Sequence, residues 1–66
     1  MFWKKEIVYF VNPEGKIIKK IKKPTIVPRK GEIIILMPEN KRYNVLELVY
    51  TYDKNLSVCW VYLNDY

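Results

Sequence analysis

The chain contains no histidine, one cysteine and two glycines, and each scarcity removes a class of function. Without histidine, the usual general base near neutral pH is missing. Cys59 stands alone, so no intrachain disulfide can form and no zinc site of the usual kind can be completed. With only Gly15 and Gly31, no glycine-rich phosphate loop can be built. The carboxylates Glu6, Glu14, Glu32, Glu39, Glu47, Asp53 and Asp65 are spread singly, none spaced like a calcium loop or a paired acid site. Ser57 and Cys59 lie two apart with no base nearby, and Cys59 reads as a small buried hydrophobe. The expectation is a protein that is not an enzyme, with no cofactor, metal or small-molecule substrate.

Long apolar runs are missing too. The longest aliphatic run, Ile33 to Met37, is far short of the ~20 residues that span a bilayer. Lys4, Lys5 and Glu6 fall where a secretory apolar segment should continue. No membrane partner is expected. One unpaired thiol fits a reducing compartment, so the expected location is the cytoplasm, or the host cytoplasm if the protein is viral.

What is present is unevenly spread. Residues 16–30 hold seven of the twelve basic side chains and no carboxylate, so the +5 net charge resides in one short stretch. That asymmetry points to an anionic partner. Sixty-six residues make one small domain, 1–66. A chain this short buries only about 60% of its unfolded surface. Half its residues are apolar and 15% are aromatic, more than one small core can hide, so self-association as a homodimer is expected.

Alternation predicts five strands. The first runs from Trp3 to Val11, with Ile7, Tyr9 and Val11 on one face and Val8 and Phe10 on the other. Asn12-Pro13-Glu14-Gly15 matches a type I turn. A lysine-rich second strand, Lys16 to Lys23, follows, its β-branched isoleucines favouring strand over helix. The step from Ile18 to Ile21 breaks alternation and predicts a bulge or twist. Pro24 and Pro28 interrupt pairing, and Pro28 to Glu32 reads as a turn. Glu32 to Met37, apolar on both faces, reads as a central strand. Tyr43 to Tyr52 and Leu56 to Leu63 complete the set, joined by Asp53-Lys54-Asn55. A bulge near Leu46-Glu47 would place Tyr43, Val45, Leu48 and Tyr50 on one face.

The expected fold is all-β: a small, strongly twisted, five-stranded antiparallel barrel with an N-terminal lysine-rich hairpin. The pattern Pro28-x-x-Gly31-Glu32-x-Ile34-x-Leu36, then Tyr43-x-Val45, then Val58-x-Trp60-x-Tyr62, resembles small SH3-like barrel proteins, many of them short orphan proteins of bacteria and their phages. The resemblance covers residues 24–63. It implies a fold class and a binding role, and carries no catalytic residues across.

Two surfaces are candidates for binding. Lys16, Lys19, Lys20, Lys22, Lys23, Arg29 and Lys30 could contact an anionic partner, or could guard a sheet edge against aggregation. Tyr50, Tyr52, Trp60 and Tyr62, in the last two strands, could form an aromatic interface or fill the core. The expected function is a small phage-type module that docks on a host protein with an acidic surface and modulates or inhibits it, defence-system proteins being among the candidate targets. The alternative is a nucleic-acid-binding barrel gripping phosphates through residues 16–30. Protein docking is preferred, since nucleic-acid barrels interleave aromatics with basic residues and this basic stretch contains no ring.

Overall fold

Stretches rich in β-branched and aromatic residues, divided by Asn-Pro, Pro-Arg and Asp-Lys-Asn breaks, favour strands throughout. The computed structural model describes residues 5–22 and 26–66. Its strands are β1 (Lys5–Val11), β2 (Ile17–Lys22), β3 (Ile33–Leu36), β4 (Lys41–Tyr52) and β5 (Leu56–Asp65), and no helix occurs among the described residues. The expected strand start at Trp3 and end at Lys23 lie outside the described residues.

The turns are built as their residues dictate. Asn12 Oδ1 accepts from the backbone N–H of Glu14 and of Lys16 (3.1 and 2.9 Å), while Gly15 N–H donates to the Asn12 carbonyl (2.9 Å). Gly15 takes φ +85°, a left-handed conformation that glycine adopts without steric penalty. Before β3, Arg29 N–H donates to Glu32 Oε1 at 2.6 Å and Gly31 sits at φ +89°.

The five strands form one curled sheet, a half-barrel, in the order β2-β1-β5-β4-β3. It corrects the all-antiparallel expectation, because β1 and β5 run parallel, in register from Lys5↔Leu56 to Val11↔Tyr62. The cause lies in composition and connectivity. β1 and β5 carry apolar side chains on both faces, so they gain most as central neighbours, whereas β2 is half lysine. Successive reversals of chain direction then return β5 to the direction of β1. The placement of the third strand is corrected as well: β3 is an edge, not a central strand. It is only four residues long and pairs with only the first four residues of β4, so it cannot cover a neighbour on each side.

Two irregularities shape the sheet. Ile17 opposes Val11 and Lys19 opposes Phe10, leaving Ile18 as the extra residue of a bulge. In β4 the register slips between Val45 and Glu47, leaving Leu46 exposed. That slip brings Tyr43, Val45, Leu48 and Tyr50 to one face, as their spacing predicts. The inner face holds the core: Val8, Phe10, Leu36, Tyr43, Val45, Cys59, Val61 and Leu63. No helix among the described residues is long and apolar enough to cross a membrane.

Candidate docking face

Side chains alternate across a sheet, so register decides which residues share a surface. On the side opposite the core, Lys20 of β2 lies beside Tyr9 of β1, Tyr9 beside Trp60 of β5, and Trp60 beside Val49 of β4. The next row on one side is Lys22, Ile7, Val58 and Thr51, and on the other Ile17, Val11, Tyr62 and Glu47. None of these twelve side chains belongs to the core cluster.

The central row is physically joined. Tyr9 and Trp60 stack with ring centroids 4.7 Å apart and planes 19° apart. Lys20 Nζ lies 5.8 Å from the centroid of the Tyr9 ring, within the range at which a cation is attracted to a ring face. Val11 and Val58 are buried although they lie outside the core cluster. Ile17 (52% exposed), Val49 (39%) and Tyr62 (37%) remain open around them. The outer face is thus a ring-and-aliphatic belt, with lysines along the β2 side and Glu47 on the β4 side.

Not all the candidate cations come together here. Lys20 and Lys22 share the outer face. Lys19 points to the other side, where its Nζ donates to the Met37 carbonyl at 3.1 Å. Lys16 belongs to the hairpin turn, and Arg29 and Lys30 to the turn before β3. Lys23 lies outside the described residues.

The candidate aromatics divide by face. Trp60 and Tyr62 are on the outer face, whereas Tyr50 and Tyr52 pair with Cys59 and Ser57 on the inner one. Tyr50 and Tyr52 stack at 6.2 Å and 11°, at the end of the β4–β5 hairpin beyond the core. Sequence reasoning missed Tyr9 as the ring that links Trp60 to the lysines. Its parity with Ile7 and Val11 was legible, but the parallel pairing that sets it beside Trp60 was not. Lys41 over the Tyr43 ring (5.2 Å) and Arg42 over the Tyr66 ring (5.8 Å) add cation–ring pairs at the far end of β4.

On the inner face, burial raises the Cys59 thiol above its ordinary pKa, partly countered by the hydrogen bond Tyr50 donates to it. Tyr50 is raised in turn, first by desolvation and then by its interaction with Cys59. Ser57 Oγ is buried and has no hydrogen-bond partner. Among the described residues, no three His, Cys, Asp or Glu side chains gather as a metal site. No protein family, curated protein or solved structure matches this chain.

Proposed function

We propose that the protein is a non-enzymatic docking module whose outer sheet face binds an acidic surface of another protein. The observation that carries this is the joined row Lys20–Tyr9–Trp60, which puts cation, ring and indole on one surface. Amphipathic rings and long cationic side chains are the residues that anchor protein interfaces. Lys20 and Lys22 supply the complement to acidic groups and speed encounter. Modulation or inhibition of a host protein would be exerted through this face.

The same row weighs against the nucleic-acid reading. Stacking a base needs a free ring face. One side of Tyr9 meets Trp60 and Lys20 lies over the ring, so the phenol offers its edge rather than its plane. The basic stretch is also divided between the two sides of β2, which suits a continuous phosphate track poorly.

The test compares the parent with the double variant Lys20→Glu/Lys22→Glu and with Trp60→Ala, in capture from lysate and in binding to a single-stranded oligonucleotide. One acidic protein retained by the parent and lost by both variants supports docking. Retention that ignores both variants overturns it. Oligonucleotide binding that weakens steeply with salt, and disappears with the lysines, would give the nucleic-acid reading instead. Pairing of two copies through this belt is a competing use, and light scattering across a dilution series detects it as a mass above 8.0 kDa.

A further inference from the structure

β2 and β3 are the two strands of the sheet that pair on one side only. Between them runs an open groove of about 490 Å³, with Phe10, Ile21, Ile34 and Leu36 among its apolar walls. At one end Lys19 Nζ donates to the Met37 carbonyl at 3.1 Å, a side-chain bridge from β2 to the end of β3.

That bridge measures the opening. A lysine side chain reaches roughly 6 Å from its Cα, so the Lys19 backbone stands within about 9 Å of the Met37 carbonyl. Neighbouring strands lie about 4.8 Å apart, and two spacings take about 9.6 Å. No Cα of β2 lies within 8 Å of a Cα of β3, so the gap well exceeds one spacing, and at the Lys19 end it is close to two. There is room for one strand. A folded second copy does not fit, because its own β3 brings β4 with it.

We infer that this groove binds one extended segment of a partner protein, which enters as a sixth strand between β2 and β3. Both lips are strand edges with backbone groups available on the groove side, so the incoming chain gains ladder bonds on both of its own edges. Its alternate side chains face Phe10, Ile21 and Leu36 and are aliphatic. An incoming N–H takes the Met37 carbonyl and releases the Lys19 ammonium. The freed ammonium then stands as a cation at that end of the groove, and an acidic side chain complements it. The segment therefore carries an Asp or Glu side chain at that end. Glu32, the other charged residue along the groove among the described residues, is already engaged by the Arg29 N–H.

A library of random peptides about eight residues long, the length of an ordinary strand, is selected on the full chain. The enriched sequences are expected to alternate aliphatic residues and to carry an acidic residue at one end. Changing that residue to Gln should weaken binding about ten-fold, the usual worth of a charge-assisted hydrogen bond. Lys19→Glu should reverse the preference to Lys or Arg, and Lys19→Gln should abolish it. Hydrogen exchange should slow at β2 and β3 amides when peptide is added. Lys20→Glu/Lys22→Glu should change none of this, which separates the groove from the outer face. No enrichment, enrichment without alternation, or a charge preference indifferent to Lys19 would overturn the inference.

Discussion

Tyr9 and Trp60 lie in opposite halves of the chain and stack ring on ring because parallel β1 and β5 hold them in register. Replacing each by leucine, singly and together, isolates the ring–ring contribution. A coupling of about 0.5–1.5 kcal/mol is expected from denaturant unfolding of the four proteins. A coupling near zero would mean that the rings do not meet in solution.

Val61 and Val49 sit on neighbouring strands and point to opposite sides of the sheet. Val61 is fully buried, so Val61→Ala leaves a cavity in the core and should cost about 2–3 kcal/mol. Val49 is 39% exposed, and Val49→Ala should cost less than about 1 kcal/mol. Equal losses in chemical denaturation would show that the faces have been assigned wrongly.

These contrasts show what could be read from the residues alone. Local patterns were legible: the Asn12–Gly15 turn, the parity of Ile7, Tyr9 and Val11, and the bulge at Leu46, since each depends on neighbours in sequence. Partner choice was not. The parallel pairing of β1 with β5 depends on which distant strand buries both faces of β1, and alternation carries no record of that. The edge position of β3 was hidden for a related reason. Ile33 to Leu36 is apolar on both faces, which suggests a central strand, yet it is too short to be covered from both sides. Tyr50, Tyr52, Trp60 and Tyr62 were grouped by proximity along the last hairpin. Register sends the first two and the last two to opposite faces.

Gly15 offers a clean test of backbone conformation. A Cβ there would meet nothing within 4 Å, so any penalty arises from the φ of +85° and not from a clash. Gly15→Ala should destabilise the fold by about 1–2 kcal/mol, and Gly15→Asn by less, because asparagine tolerates left-handed backbone. Thermal midpoints of the three proteins give the ranking. No loss in the alanine variant would contradict the turn geometry.

Cys59 and Tyr50 set an alkaline limit. Both groups are raised in the fold, so the native state holds their protons more tightly than the unfolded chain does. Their contribution is therefore complete below the ordinary thiol pKa of about 8.5, and is lost as pH rises through the raised native values. Cys59→Ala should flatten the fall in denaturation midpoint above about pH 8.5 relative to the parent. Parallel curves for parent and variant would mean that the thiol is not desolvated in the native state.

The account depends most on one surface: a lysine, a phenol and an indole contributed by three strands to the same side of the sheet. Proton–proton Overhauser contacts in solution test it directly. The expected result is cross-peaks from the Lys20 side-chain methylenes to the Tyr9 ring and from Tyr9 to the Trp60 indole, with the Lys20 signals shifted upfield by the ring. Contacts from the Trp60 indole to the Tyr50 or Tyr52 ring in their place would put the indole on the inner face and contradict the account.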